Sequence, residues 1–222
     1  MIKRSKWYVY LLVLLISKQA AAQETILYTD YKPVYSQWKK NYILDKIVYT
    51  EQNTIFHFRY VGIYALNSIT LFGNLHVDKW CLEEVGKKGQ IFCLEKLVDV
   101  AQDGKIVFPK IENSYQQHFV GKYGVIFTCK IYFPRLPNHI TQVHLWEGLQ
   151  KKRSHLNFHC LNVAIKPFDS PELGTEADLE ERLLAFSEVL NLPAQIQTPK
   201  QEEPGEEEPL EEENKAAEEE RP

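Results

Sequence analysis

The sequence predicts an all-β domain, an antiparallel sandwich or barrel, followed by one amphipathic helix and an acidic tail. Between residues 46 and 166, runs rich in β-branched and aromatic residues recur roughly every 8–12 residues, a spacing typical of such folds. Gly, Asn and Asp separate the runs, as expected of turns. No helical period of apolar residues lies between them, so the pattern disfavours alternating strand–helix–strand units.

Residues 1–22 have the features of an export signal. Three basic residues precede the apolar run from Trp7 to Ile16, which is too short to cross a bilayer as a helix. Small residues at Ala20 and Ala22 predict cleavage near Ala22/Gln23. We therefore expect an exported mature chain, periplasmic or secreted, that does not span a membrane. An N-terminal anchor or a buried core helix is the alternative.

Charge divides the chain into three parts. Residues 1–22 carry a formal charge of +4, residues 23–168 carry +6, and residues 169–222 carry −14. The net charge of −4 therefore conceals a basic domain and an acidic C-terminal part. Segment 23–168 is long enough for one domain with its own core. An exported chain with such an acidic tail is not expected to bind nucleic acid.

Nine segments have the composition of β-strands. They are KIVYT (46–50), TIFHFRYV (54–61), SITLFGNL (68–75), KWCLEEV (79–85), QIFCLEKLVDV (90–100), KIVFP (105–109), YGVIFTCKIYF (123–133), ITQVHLWEG (140–148) and LNFHCLNVAIK (156–166). Alternation in the seventh predicts that its odd-numbered residues, Val125 to Phe133, face the core. The prolines of FPRLPNH (133–139) cannot continue a central strand, so this loop is expected to cross between sheets.

Residues 169–193 change to a helical period. Thr175 and Asp178 form a variant of the capping box. An apolar stripe follows, made of Leu179, Leu183, Phe186 and Leu190. The stripe predicts docking against the domain, and the alternative is a structural assembly role in which the helix recruits a partner.

Residues 194–222 have almost no large apolar side chains and are expected to be disordered. A solvated tail or the start of a linker is the simplest interpretation. An acidic arm that screens the basic domain, and a contact for a basic partner, are the alternatives.

The four cysteines allow disulfides in an exported chain but do not form a CxxC motif, which disfavours a thioredoxin-type pair and a zinc ribbon. Cys81 and Cys93 flank a turn in WCLEEVGKKGQIFCLE. A turn at Gly86-Lys87-Lys88 places them directly opposite and permits a bond. A turn at Lys87-Lys88-Gly89 offsets them diagonally, and its final glycine makes it the favoured register.

The second cysteine pair consists of Cys129, which has the position of a core residue, and Cys160, whose strand face is ambiguous. A bond between them is the other pairing considered.

Catalytic and metal-binding motifs are not evident. GxSxG, HExxH, Walker and GxGxxG patterns do not occur. His155 and His159 fall on a predicted strand, where four residues span about 13 Å, too far for one metal ion. His57 and Arg59 share a strand face and are expected to point to solvent. We predict no catalytic residue, metal or cofactor; a hydrolase assembled from scattered His, Glu and Cys is the enzymatic alternative.

The segment YKPVYSQWKKNY (31–42) is dense in aromatic residues and lysines. Tyr35, Trp38, Lys39 and Lys40 are candidate contacts for a protein, a sugar or an anionic polymer. The alternative is an edge strand whose aromatic residues cover the end of the sandwich.

The order of YTEQNTIFHFRYV, KWCLEEVGKKGQIFCLEKL, FPRLPNHITQVHLWEG and NFHCLNVAIK resembles an exported bacterial immunoglobulin-like β-sandwich domain of envelope proteins. The resemblance covers roughly Lys46 to Lys166. It implies an immunoglobulin-like fold and a non-catalytic accessory or binding module in the cell envelope, with a protein or glycan partner. It assigns no functional residue.

Overall fold

The computed structural model describes residues 24–37, 39–86, 90–149 and 158–190, without the side chain of Val189. The predicted signal segment, Trp38, His155 and the acidic tail lie outside these ranges. The described residues contain thirteen strands and one helix, joined by turns and loops. The strands are β1 Ile26–Asp30, β2 Ser36–Gln37, β3 Tyr42–Thr50, β4 Asn53–Val61, β5 Leu66–Phe72, β6 Trp80–Glu84, β7 Ile91–Cys93, β8 Lys96–Gln102, β9 Lys105–Ile111, β10 Gln116–Lys122, β11 Ile126–Pro134, β12 Gln142–Glu147 and β13 His159–Ala164; the helix, α1, is Glu176–Val189.

The strands form three antiparallel sheets. The six-stranded sheet has the order β1-β3-β4-β11-β8-β9, and the five-stranded sheet has the order β2-β13-β12-β6-β7. Strands β5 and β10 form a separate two-stranded ribbon. Buried side chains from all three sheets belong to one continuous apolar cluster. The chain is therefore an all-β sandwich, as the strand spacing predicted.

The longest predicted strand is oriented as expected. The odd-numbered residues from Val125 to Phe133 are buried, whereas the even-numbered residues between them are half-buried. The following loop, 133–139, leads from the six-stranded sheet to the five-stranded sheet. The prolines therefore mark a crossing between sheets, as the sequence predicted.

Segment 90–100, predicted as one strand, is two. The backbone N–H of Leu94 donates to the Trp80 carbonyl in the five-stranded sheet, at 2.9 Å. The next N–H, of Glu95, donates to the Tyr132 carbonyl in the six-stranded sheet, at 2.8 Å. The chain therefore passes between sheets at this point while remaining extended, which an apolar pattern cannot reveal.

The turn between β6 and β7 takes the register that was not favoured. Cys81 lies directly opposite Cys93, and a disulfide joins them with Cα atoms 4.0 Å apart. Gly86 has a φ of 80°, so a glycine takes a left-handed conformation in this register too. Cys129 and Cys160 are free and buried, and the second pairing considered is not formed.

Helix α1 lies against the outer face of the six-stranded sheet. Thr175 caps it through a reciprocal pair of hydrogen bonds with Asp178, and these bonds together with Lys32 lower the pKa of Asp178 to about 2. Leu179, Leu183 and Leu190 are buried, and Phe186 is half-buried. The stripe therefore packs against the domain itself. No helix in the described ranges is long and apolar enough to cross a membrane.

Two buried ion pairs lie along the flank covered by α1. Lys166 pairs with Asp30 at 3.0 Å, and Arg59 pairs with Asp45 at 2.8 Å. The prediction of a solvent-facing stripe was therefore wrong, because Arg59 is buried and His57, on the same strand face, is half-buried. The sequence could not show this because Asp45 and the helix that covers the flank are distant along the chain.

Candidate functional site

One end of the six-stranded sheet gathers the starts and ends of five strands. Strand pairing aligns one residue from each strand in a single row. The row is Tyr42, Tyr60, Phe127, Gln102 and Lys105. With strands about 4.8 Å apart, the four intervals between its members span roughly 19 Å.

Four lysines lie at this end of the sheet, which we call the lysine end: Lys39, Lys40, Lys105 and Lys122. The first two form the turn before β3, Lys105 begins β9, and Lys122 ends β10 just before β11. Lys40, Lys105 and Lys122 are exposed. Lys39 is half-buried, with its Nζ 5.3 Å from the centroid of the Tyr42 ring.

Local turns hold these lysines in place. Lys105 follows the two-residue turn Asp103–Gly104, whose φ angles of 49° and 82° suit a tight hairpin. The N–H of Asp103 donates to the Ile126 carbonyl at 2.8 Å and joins this hairpin to the start of β11. Lys105 is thus fixed beside the turn that carries Lys122.

A buried asparagine fastens Lys122 to an exposed aromatic residue. The Nδ2 of Asn67 donates to the carbonyls of Tyr64, at 2.6 Å, and of Lys122, at 3.1 Å. Gly62 fits beside this contact because a Cβ there would lie 2.7 Å from the Asn67 and Val125 side chains. The Tyr64 side chain, 64% exposed, is thereby held next to the lysine end.

The lysines of this end do not form ion pairs with described residues. No salt bridge joins any of the four to a carboxylate of the described residues, whereas Lys32, Lys110 and Lys130 each have one. Two acidic residues are near: Asp103, whose Oδ1 accepts from the Ile126 N–H at 2.9 Å, and Glu188 in the last turn of α1. Positive charge is therefore in excess.

The residues predicted as partner contacts divide between core and surface. Tyr35 packs against the core, and its hydroxyl accepts a hydrogen bond from the Leu44 N–H at 3.0 Å. Burial raises the pKa of its hydroxyl. Tyr35 is thus a structural residue, whereas Lys39 and Lys40 belong to the lysine end.

The sequence analysis did not identify three further residues of this end: Tyr64, Lys105 and Lys122. They are dispersed over almost sixty positions, and only strand pairing brings them together. The Asp-Gly turn before Lys105 was the sole local signal that one of them begins a strand.

The free cysteines and the possible metal ligands are the other groups that could support chemistry. Burial raises the pKa of the Cys129 and Cys160 thiols, which are therefore protonated at neutral pH and poor nucleophiles. Within the described ranges, no three His, Cys, Asp or Glu side chains group as ligands for a metal. Comparison with known proteins gave no match, whether with family models, curated proteins or solved structures.

Proposed function

We propose that the chain is an exported, non-catalytic binding module on an immunoglobulin-like sandwich, and that its lysine end binds an anionic glycan of the cell envelope. The observation that supports this proposal is the set of four lysines that lack a carboxylate partner within the described residues. Like charges held together without partners create a positive local potential that attracts a polyanion.

The spacing of the lysines suits an extended ligand. Single surface ion pairs contribute about 0–1 kcal/mol, so one carboxylate gains little. A polymer that contacts several lysines over roughly 19 Å adds these contributions within one binding event. Affinity of this kind depends on salt because exposed charges are screened over about 10 Å at 0.1 M.

Two tyrosines favour a sugar polymer over a simple anion. The rings of Tyr64 and Tyr123 are 64% and 49% exposed and lie next to the lysines. A tyrosine ring presents an apolar face that can pack against a sugar ring, and its hydroxyl oxygen can accept a hydrogen bond from a sugar hydroxyl. A glycan with regular carboxylates matches both the charged and the aromatic components.

Binding of polygalacturonate, an acidic polysaccharide, to the mature chain tests the proposal by titration calorimetry at low and high salt. We expect affinity that falls with salt and that falls about tenfold in the variant Lys105→Gln/Lys122→Gln, the loss of about 1.4 kcal/mol. The matched control is Lys32→Gln/Lys110→Gln, because both lysines are exposed but already paired with carboxylates.

Three outcomes would count against the glycan proposal. Polygalacturonate that does not bind at low salt would contradict it, as would an equal loss in the control variant. Tighter binding of poly-glutamate than of polygalacturonate would replace the glycan with an acidic protein segment. Neutral dextran serves as the uncharged polysaccharide and is expected not to bind.

A further inference from the structure

We propose that residues 194–222 of this chain bind the lysine end in cis and compete there with external polyanions. The inference uses the same surface as the proposed function, but it does not require that the external ligand be a glycan. It rests on where helix α1 ends, on the length of the chain that follows, and on charge complementarity.

Helix α1 delivers the chain to the lysine end. Leu190, the residue after the helix, is buried against Ile43 and Val61, which lie next to the aligned row at the end of the sheet. The hydroxyl of Tyr123 donates to the Leu190 carbonyl at 3.1 Å. Because Tyr123 directly follows Lys122, the segment after Leu190 starts beside one of the four lysines.

The segment is long enough to cover the site. Eleven residues separate Leu190 from the first glutamate of the tail, Glu202. An extended chain of that length reaches about 36 Å, almost twice the roughly 19 Å width of the lysine end. The stretch from Glu202 to Glu213 contains eight glutamates and is long enough to extend from one side of the lysine end to the other.

Charge complementarity selects this surface over the rest of the domain. Residues 194–222 contain eleven glutamates against Lys200, Lys215 and Arg221. Of the lysines elsewhere on the sheet, Lys110 and Lys130 already have carboxylate partners. The other two, Lys46 and Lys96, are half-buried and lie over the rings of Tyr31 and Tyr132. Asp103 and Glu188 offset part of the charge at the lysine end but leave the four lysines in excess.

Tethering makes weak contacts effective. Each exposed lysine–glutamate contact contributes about 0–1 kcal/mol, but a flexible tether gives a local concentration on the order of millimolar. The bound segment would exclude short or weakly charged ligands, whereas a longer polyanion would displace it. The acidic segment is therefore a built-in competitor that sets a minimum charge density for the external ligand.

Carbodiimide cross-linking of the full mature chain tests the inference directly, because this reagent joins only amines and carboxylates that are in contact. An equimolar mixture of ¹⁴N- and ¹⁵N-labelled chains at low concentration distinguishes links within a chain from links between chains. We expect peptides that connect Lys105 or Lys122 to glutamates between Glu202 and Glu220 to be almost all of one isotope, with few mixed-isotope counterparts, and to be lost at 0.5 M salt.

A full-length variant with five glutamates replaced by glutamine provides the second arm; the positions are Glu202, Glu203, Glu206, Glu207 and Glu208. It should lose most of these cross-links and bind polygalacturonate several-fold more tightly at low salt. Mixed-isotope links as frequent as same-isotope links, which is the statistical result for links between chains, would overturn the inference. Links that fall equally on Lys32 and Lys110 would overturn it too.

The two proposals fail separately in these experiments. Same-chain links in the wild-type chain, without any binding of polygalacturonate to the variant with five glutamines, would leave the cis contact standing and remove the glycan function. Binding of polygalacturonate that is unaffected by the five glutamine substitutions, without same-chain links, would remove the cis contact alone.

Discussion

The flank covered by helix α1 and the lysine end differ in how their positive charges are partnered. On the flank, Lys166 donates from Nζ to the Asp30 carboxylate at 3.0 Å and to the carbonyls of Lys32 and Glu172 at 2.6 and 2.8 Å. All three of its hydrogens have acceptors. At the lysine end, no carboxylate of the described residues pairs with any of the four lysines.

The difference separates charges that belong to the fold from charges that are available to a ligand. A buried charge costs several kcal/mol unless acceptors surround it, so the flank must supply them within the chain. An exposed lysine is solvated by water and needs no partner for folding. Substitutions should therefore destabilise the domain on the flank and alter only binding at the lysine end.

The largest expected effect is that of Lys166→Met. The substitution leaves the fully buried Asp30 carboxylate without its cation, and the free energy of unfolding should fall by about 3–5 kcal/mol at pH 7. Burial already raises the pKa of Asp30, and Lys166 opposes that shift. A carboxyl with a raised pKa in the folded state favours folding when protonated, so the loss should shrink toward acid pH.

Urea denaturation of Lys166→Met and of the matched variant Lys122→Met measures this contrast. Lys122→Met should change the free energy of unfolding by less than about 0.5 kcal/mol. A loss below about 1 kcal/mol for Lys166→Met would mean that the buried pair of Lys166 and Asp30 does not stabilise the fold.

The second effect concerns the contact of Arg182 with a bulge in strand β3. Its Nη2 donates to the Leu44 carbonyl at 2.9 Å and also to the Asp45 carbonyl. Arg182→Gln removes these charge-assisted bonds and should cost about 1.5–3 kcal/mol. Hydrogen exchange should show faster opening of α1, whereas Glu181→Gln, an exposed neighbour, should leave it unchanged. Equal protection of α1 in both variants would contradict this role.

The third effect is a pH dependence that arises from His57. Burial, with help from Lys46 and Lys130 on the neighbouring strands, lowers its pKa from 6.5 to about 3. Below pH 6.5 the unfolded chain binds a proton that the folded chain does not. The free energy of unfolding therefore decreases as the pH is lowered from about 6 to about 3. The slope approaches about 1.4 kcal/mol per pH unit.

His57→Gln should flatten this part of the stability curve, and the exposed His118→Gln should not. The measurement is urea denaturation at pH 6, 5 and 4, in which the difference between variant and wild type isolates His57 from the buried carboxyls. Parallel curves for wild type and His57→Gln would show that the imidazole accepts a proton in the folded state.

Sequence patterns predicted features that depend on local alternation. The inward face of β11 follows from a strict period of two, and the crossing at 133–139 follows from its prolines. Strand β10, QQHFVGK, was missed because it combines polar residues and a glycine with only two large apolar residues. The predicted register of Cys81 and Cys93 was wrong because glycines stand on both sides of Lys87-Lys88. Either glycine could serve the turn, and the local sequence does not decide which one does.

The candidate site shows the same limit. Lys39 and Lys40 were identified because aromatic residues surround them in one short segment. Lys105 and Lys122 were not, because their proximity depends on the pairing of β11 with β8 and of β8 with β9. Arg59 was misassigned for the same reason, since the structures that bury it come from distant parts of the chain.

The smallest effect on folding should accompany neutralisation of the lysine end. Lys105→Gln/Lys122→Gln removes two like charges that have no carboxylate partner within the described residues, so the free energy of unfolding should stay within about 0.5 kcal/mol of wild type or rise slightly. Urea denaturation at 10 mM and 200 mM salt measures the change, and any gain should shrink at the higher salt because repulsion is screened. A loss above about 1 kcal/mol would show that these lysines stabilise the fold, and the distinction between the two regions would then fail. A stable variant that no longer binds polygalacturonate would instead establish that this end of the sheet contributes charge to binding and not to folding.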